Sequence, residues 1–231
     1  MSEANWTVLN DGLDIATVDR GATSGITPPS GGGSYIYGFN SLAAAEGAVG
    51  LFCNALNYAP MAKGGSIRGC IQRGPGGGPT GFSPFFFLAG QGPSVNDSAY
   101  LIGLSDDVPH RVVIKKGMIA NGIGGYDSVG VLRASTSTFA QGTWLHLRLD
   151  VTLQDNGDVI LEAWRNDLDA HPLGTPESWV LIPGLTDFVD DQLGINSGSQ
   201  PFTSGRAGFG FRVDDVTRRG FFDHIELMRQ V

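Results

Sequence analysis

The chain has 231 residues, of which 41% are apolar, with 35 glycines and a net charge of −8. The apolar content excludes a disordered chain, and the acidic balance with scattered basic residues disfavours binding to nucleic-acid phosphates. The first residues are polar and lack the apolar core of a signal peptide, and no apolar run is long enough to span a membrane. We therefore expect a chain made and kept in a cytoplasm, or exported without a cleaved signal.

Short strands separated by turns are predicted for most of the chain. The many glycines favour turns over long helices, and regularly spaced apolar runs are typical of a sandwich or a barrel. The predicted strands, in chain order, are WTVLND, a strand entered near Tyr35, GAVGLFCNAL, SIRGCIQRG, FFFLAG, AYLIGLS, HRVVIKKG and SVGVLRAS.

Two segments rich in glycine and proline, residues 21–34 and 73–84, are predicted to be loop excursions. The second lacks the Lys-Ser/Thr ending of a phosphate-binding loop. Short helices are the most that residues 41–50 and 185–194 can hold, since no segment sustains a helical period. No repeat or linker divides the sequence, so we expect one domain over residues 1–231.

The clearest hairpin is GTWLHLRLDVTLQDNGDVILEAWRND. Alternation places Leu145, Leu147, Leu149 and Val151 on the buried face and Trp144, His146, Arg148 and Asp150 on the solvent face, and an Asn-Gly pair marks the turn. Trp144 and Trp164 both fall off the leucine face. They form either a platform for a sugar or a partner protein, or side chains covered by a loop.

Four elements of the C-terminal half carry a family resemblance: the GTWLHLRLDV and GDVILEAWRND pair, then WVLIPGLTD, then GRAGFGF, then FFDHIEL. Their order and spacing over residues 142–229 resemble concanavalin A-like, laminin-G-like jelly rolls. The resemblance implies an all-β protein, a two-sheet antiparallel β-sandwich with long loops. Members bind glycans, bind proteins, hydrolyse polysaccharides or build particles, so the fold does not select the function.

Catalytic motifs are weak in this sequence. Enzymatic members of the resembled family carry a Glu-x-Asp-x-x-Glu run on one strand, whereas the five glutamates here are isolated. Asp214 and Asp215, with Asp223 and Glu226, are the nearest approach to a carboxylate pair, and they are split across two predicted strands and a turn. We expect Asp223 to have a structural role. The four histidines lack metal-ligand spacing, and we expect each to be an ordinary surface or strand residue.

Metal and disulfide chemistry are not expected. Asp155 and Asp158 beside the hairpin turn are weak calcium candidates, because carboxylates in turns suit that ion, but no calcium-binding loop motif is present. The two cysteines, Cys53 and Cys70, fit a reducing compartment and are interpreted as buried thiols, although their spacing permits a pair.

The sequence also resembles bacteriophage virion components. We therefore expect a non-enzymatic structural protein of a tail, baseplate, neck or capsid, assembled in a host cytoplasm and contacting other virion proteins or copies of itself. Phe86 in the FFF run is a candidate partner contact, although a core position is the alternative. The alternative functions are a lectin-like module that binds host-surface glycans through Trp144 and Trp164, and a glycoside hydrolase.

The last two predicted strands complete the sandwich. In GRAGFGFRV, alternation places the phenylalanines in the core, and Gly208 and Gly210 leave the other face bare for a close backbone approach. In FFDHIEL, a regular register that buries Ile225 also turns Asp223 toward the core. A carboxylate there must be hydrogen-bonded, so we expect Asp223 to bind turn amides.

Overall fold

A computed structural model describes residues 6–10, 16–20, 27–32, 37–41, 47–53, 64–74, 82–92, 96–123, 130–191, 200–213 and 219–229. These residues form fifteen strands and a single 3-10 turn at Ile119–Asn121. The strands are β1 (Trp6–Asn10), β2 (Ala16–Arg20), β3 (Tyr37–Ser41), β4 (Gly47–Cys53), β5 (Gly64–Arg73), β6 (Phe82–Gly90), β7 (Ser98–Leu104), β8 (His110–Met118), β9 (Val131–Phe139), β10 (Leu145–Leu153), β11 (Val159–Asn166), β12 (Trp179–Leu181), β13 (Phe188–Asp190), β14 (Arg206–Val213) and β15 (Arg219–Arg229).

The strands pair into two antiparallel sheets. The seven-stranded sheet has the order β1-β4-β14-β6-β7-β8-β9. The eight-stranded sheet has the order β12-β11-β10-β5-β15-β3-β2, with β13 pairing β11 beside β12. The predicted two-sheet sandwich is confirmed. The described part of the chain holds no helix with the length and hydropathy needed to cross a bilayer.

The main core lies between the sheets, and the alternating strands supply it as predicted. Leu149 pairs with Ala163 and Val151 with Leu161 across the β10–β11 hairpin, and all four side chains are buried. Gly157 in the turn has φ +91°, a conformation that glycine adopts without strain. The inward side chains of β14, Ala207, Phe209 and Phe211, join the same cluster. The described side chains on the other face of β10 therefore point outward.

The outer face of the seven-stranded sheet carries a second apolar cluster. Phe85 and Phe87 pack there with Leu101 and Val113, and the segment 119–123 covers them through Ile119 and Ile123. Gly208 and Gly210 stand opposite Phe87 and Phe85 on the neighbouring strand, so their missing side chains leave room for those rings. Both glycines are buried, and the close approach of a backbone to them stays a prediction.

Phe86 is not a surface contact. Its side chain is fully buried in the main core, where its ring meets Phe222 edge to face at 5.7 Å between centroids. The prediction of Phe86 as a partner contact was wrong because β6 is buried on both faces. All three phenylalanines of the run fill the interior, two on one side of the sheet and one on the other.

Asp223 does not face the core. A β-bulge interrupts the β15–β5 pairing between Asp223 and Glu226, and His224 within it has φ +50°. The extra residue lets Phe222 and Ile225 both enter the core while Asp223 pairs opposite Cys70 on the outer face. The predicted inward orientation was wrong because it assumed unbroken alternation. Its Oδ1 accepts a hydrogen bond from the amide of His224 at 2.7 Å, a bulge amide.

The structure agrees with some of the predicted loops and helices and differs from others. Residues 27–32 contain no strand, as expected, and the rest of the predicted excursion 21–34 lies outside the described residues. The excursion 73–84 is shorter than predicted, because Arg73 ends β5 and β6 begins at Phe82, while residues 75–81 lie outside the described residues. Neither of the two short helices that the sequence allowed is present in the described residues. Phe188–Asp190, within 185–194, pairs with β11 as a strand, and residues 47–50 of the 41–50 candidate belong to β4, while residues 42–46 lie outside the described residues.

Candidate functional site

The outer face of the eight-stranded sheet concentrates charged and aromatic side chains. Antiparallel pairing aligns residues on neighbouring strands into rows that cross the sheet. The central row runs through Trp164, Arg148, Arg68 and Glu226. Neighbouring strands lie about 4.8 Å apart, so the face extends about 19 Å from β12 to β15.

Arg68 is the centre of this face. Its Nε and Nη2 donate to Glu226 Oε2 at 3.0 and 2.5 Å, and its Nη1 donates to Glu177 Oε2. Arg148 lies directly opposite Arg68 on β10, an arrangement that is unfavourable for two cations alone. The carboxylates around both guanidiniums offset that repulsion, because Arg148 also binds Asp150 through two hydrogen bonds of 2.6 Å.

Aromatic rings flank the guanidiniums. The Arg148 guanidinium carbon lies 5.7 Å from the Trp164 ring centroid and 5.9 Å from that of Trp179. Trp179 also donates from Nε1 to Glu177 Oε2 at 3.0 Å, which fixes its ring beside the carboxylate. Both indoles are partly exposed, so the face presents apolar rings next to hydrogen-bonding groups.

His146 lies beneath this layer and is fully buried. Its ring meets Trp179 edge-on at 4.6 Å and His224 at 6.2 Å. Asn166 Nδ2 lies 3.3 Å from His146 Nδ1, which leaves the ring proton on Nε2, 3.9 Å from Glu177 Oε1. Burial, and then the positive charges of His224 and Arg68, lower the pKa of His146 to about 4, so the ring is neutral near pH 7.

We call six of these residues the Arg68 cluster: Arg68, His146, Glu177, Trp179, His224 and Glu226. His224 Nε2 lies 3.1 Å from Glu226 Oε1 at the exposed edge of the cluster. Glu226 and His224 are each about 40% exposed, whereas Arg68 and Glu177 are 19% exposed. A ligand laid on the face therefore reaches the carboxylates and rings from solvent.

Four polar atoms on this face are buried with no hydrogen-bond partner among the described residues: Gln72 Oε1, His146 Nε2, Trp164 Nε1 and Asp223 Oδ2. Asp223 Oδ2 lies under the loop 27–32, where a Cβ on Gly32 would stand 2.8 Å from it. Burial raises the pKa of Asp223 above its ordinary value. Buried polar atoms without a partner are uncommon in folded proteins, and an ordered water is a common way of completing their bonding.

Trp144 and Trp164, the predicted platform, are not neighbours on this face. Trp144 precedes β10 and packs against Cys70, Leu168 and Leu173, and its Nε1 donates to Thr27 O at 2.9 Å. The loop 27–32 thus covers one side of Trp144. For this residue, the structure agrees with the interpretation in which a loop covers the tryptophan. Trp164 remains on the open face beside Arg148. The second indole near Arg148, that of Trp179, was not predicted from the sequence.

The remaining side of Trp144 lines a groove at the edge of the sandwich. Two adjoining cavities of about 420 and 350 Å³ share Phe139, Arg165 and Asp167 as a common wall. The Arg165 guanidinium carbon lies 5.6 Å from the Phe139 ring centroid. The predicted contact residue Trp144 therefore belongs to this edge groove, and Trp164 belongs to the Arg68 face.

The calcium candidates form an ordinary turn. Asn156 Nδ2 donates to Asp158 Oδ2 at 2.6 Å, and Asn156 Oδ1 accepts a hydrogen bond from the Asp158 amide at 3.1 Å. Asp155 is exposed. Within the described ranges, no three His, Cys, Asp or Glu side chains are placed to hold a metal ion. The described residues therefore give no support to calcium at this turn.

Cys70 is a free, buried thiol on β5, in the opposite sheet from Cys53 on β4. Burial is the main cause that raises the pKa of this thiol above its ordinary range, and the charges of Asp223 and Glu177 add to it. A thiol of this kind is unreactive, so Cys70 acts as a small apolar filler between His146 and Asp223.

Comparisons with known proteins identify the fold. No protein-family model and no curated protein matches the sequence. Among solved structures, the cellulose induced protein Cip1 is similar with a TM-score of 0.57 and 14% identity, over 100% of this chain and 94% of its own. The metal-free carbohydrate recognition domain of Emp46p gives 0.53 and 12%, over 99% and 89%.

A carbohydrate esterase from the Shiga toxin-encoding bacteriophage phi24B is also similar, with a TM-score of 0.50 and 13% identity, over 98% of this chain and 91% of its own. Identities this low show the fold alone. The chain therefore has a lectin-like, concanavalin-like β-sandwich fold, which the comparison proteins share although one is described as a recognition domain and another as an esterase.

Proposed function

We propose that this chain binds a carbohydrate on the outer face of the eight-stranded sheet. The observation that carries the proposal is the pairing of two partly exposed indoles, Trp164 and Trp179, with the carboxylates that Arg68 holds. Sugar rings pack their C–H faces on aromatic rings, while their hydroxyls bond to charged and amide groups.

Two further observations support this proposal. The buried Trp164 Nε1 donor has no acceptor among the described residues. Among the similar structures, one is described as a carbohydrate recognition domain and another as a carbohydrate esterase, so the same sandwich serves carbohydrate ligands in other proteins. The function proposed here is the lectin-like alternative of the sequence analysis.

The test is a glycan array followed by calorimetric titration of the best oligosaccharide against two variants. Trp179→Ala removes a ring from the face, and we expect about a tenfold loss of affinity, which corresponds to about 1.4 kcal/mol. Val180→Ala is the matched control, because Val180 is the next residue on β12 and is 64% exposed. Equal affinities for both variants would show that the ligand does not lie on this face.

Trp144→Ala tests the edge groove in the same titration. We expect its affinity to match that of the wild type, because Trp144 stands outside the Arg68 cluster. A loss confined to Trp144→Ala would move the carbohydrate site to the groove.

Glycan hydrolysis is a second candidate because Glu177 and Glu226, isolated in the sequence, converge on one guanidinium. Hydrolysis with two carboxylates needs such a juxtaposition. Release of reducing sugar that Glu226→Gln and Glu177→Gln each abolish would establish it, and binding without release would leave the site a lectin.

A structural role in a virus particle stays a prediction, as does assembly in a host cytoplasm. The similarity to the phage esterase extends to the fold and carries no information about a particle. The neighbouring genes test the prediction directly, since capsid, portal or tail genes beside this one would favour it.

A further inference from the structure

The charge on the outer face of the eight-stranded sheet restricts the glycan that it can hold. Among the side chains that the structure describes there, two are guanidiniums and six are carboxyls. The guanidiniums are Arg68 and Arg148, and the carboxyls are Asp150, Glu162, Glu177, Asp187, Asp223 and Glu226. The whole chain also carries a net charge of −8, so no long-range attraction draws an anion to this face.

Both guanidiniums are already engaged by carboxylates of the same face. Arg68 binds Glu177 and Glu226, and Arg148 binds Asp150 through both donors. An anionic group on a ligand would have to displace one of these carboxylates and leave it beside the others, which costs Coulomb energy. Two histidines complete the basic groups of the face. The buried ring of His146 is neutral near pH 7 and supplies no positive charge, and His224 Nε2 is engaged by Glu226 Oε1 at 3.1 Å.

We infer that the ligand of this face is an uncharged glycan, not one that bears uronate, sulfate or phosphate groups. The inference rests on the proposed carbohydrate function and names its substrate class. Hydroxyl groups of a neutral sugar donate to Glu177 and Glu226 without adding charge, and the indoles of Trp164 and Trp179 cover the apolar faces of the rings.

The experiment compares hexasaccharides of equal length by calorimetry. The neutral set is cellohexaose, mannohexaose, xylohexaose and laminarihexaose, and the acidic set is hexamannuronate and hexagalacturonate. At 20 mM salt, we expect at least one neutral hexasaccharide to bind at least tenfold more tightly than either acidic one. At 500 mM salt the neutral affinity should change less than twofold, because no ion pair forms with the ligand.

Two variants of the full chain sharpen the result. Glu226→Gln removes one negative charge from the face, and we expect it to raise the affinity for the acidic hexasaccharides at least threefold at 20 mM salt. Asp155→Asn, in the exposed hairpin turn, makes the same change of net charge away from the face and should leave that affinity unchanged.

An acidic hexasaccharide that binds more tightly than every neutral one, with an affinity that falls as salt rises, would overturn the inference and leave carbohydrate binding intact. A hexamer of glucosamine, which carries protonated amines, is measured in the same way. If it binds more tightly than every neutral hexasaccharide, the inference is overturned in favour of an amine-bearing glycan. If no hexasaccharide of any set binds, the proposed function itself fails, and the inference fails with it.

Discussion

The two outer faces of the sandwich differ in side-chain chemistry and in exposure to solvent. On the seven-stranded sheet, Phe85 and Phe87 lie in a second apolar core under residues 119–123. On the eight-stranded sheet, the Arg68 cluster remains open to solvent, with Glu226 about 40% exposed. One face buries apolar area, which stabilises the fold, and the other keeps charges and partly exposed rings at the surface. The proposed carbohydrate site lies on the second face.

The largest expected effect comes from the covered face. Phe87→Ala removes a fully buried ring from the second core, and we expect the free energy of unfolding to fall by about 3–5 kcal/mol. Urea denaturation at constant pH measures it. Glycan affinity of the folded fraction should be unchanged, because Phe87 belongs to the other sheet. A loss below about 1 kcal/mol would mean that residues 119–123 do not seal this face.

His146 makes the open face sensitive to acid. Its pKa is about 4 in the folded chain against 6.5 for an unburied imidazole, so the unfolded state binds more protons between these values. The free energy of unfolding is therefore highest above pH 6.5 and falls as the pH drops toward 4. At 1.36 kcal/mol per pH unit the loss approaches about 3 kcal/mol.

The measurement is urea denaturation from pH 7 to pH 4 for the wild type and His146→Asn. We expect the free energy of unfolding to fall less in the variant than in the wild type over this range, because the contribution of His146 is absent. Burial also lowers the pKa of His110, which acts in the same direction, whereas the raised pKa values of Asp223 and Glu162 favour the folded state as the pH falls; these three groups are present in both proteins and cancel in the comparison. If the free energy of unfolding depends on pH in the same way for His146→Asn and the wild type, the lowered pKa assigned to His146 is contradicted.

The smallest expected effect concerns the orphaned indole donor. Trp164→Phe removes the buried, unpaired Nε1–H along with part of the ring. Loss of the unpaired donor stabilises the folded state and loss of the ring atoms destabilises it, so the two effects partly cancel. We expect the free energy of unfolding to stay within about 1 kcal/mol of the wild type. Glycan affinity should fall several-fold in the same variant, since the donor is lost. A stability loss above about 2 kcal/mol, with affinity unchanged, would show that the indole serves the fold.

The strands of this fold are largely predictable from the sequence. Period-two alternation in the β10–β11 hairpin and in β14 specifies which side chains enter the core, because a sheet with one buried face leaves a clear pattern. The bulge at His224 is not predictable in this way, since one extra residue reverses the alternation after it without changing composition. Phe86 was misassigned because a strand buried on both faces shows no alternation.

The site was less predictable than the fold. Arg68 is separated by 109 residues from Glu177 and by 158 from Glu226, so no local motif connects them. Their convergence depends on β5 pairing between β10 and β15, a long-range feature of the topology. The signal that was available is the alternation of β10, which correctly placed His146, Arg148 and Asp150 together on the outward face.

Nuclear magnetic resonance of the four tryptophan indole groups tests the central claim most directly. During titration of the labelled chain with the best neutral hexasaccharide, the indole N–H signals of Trp164 and Trp179 should shift with a common dissociation constant, while that of Trp144 stays in place. Shifts confined to Trp144, or saturation with no change at Trp164 and Trp179, would contradict a carbohydrate site on the eight-stranded sheet.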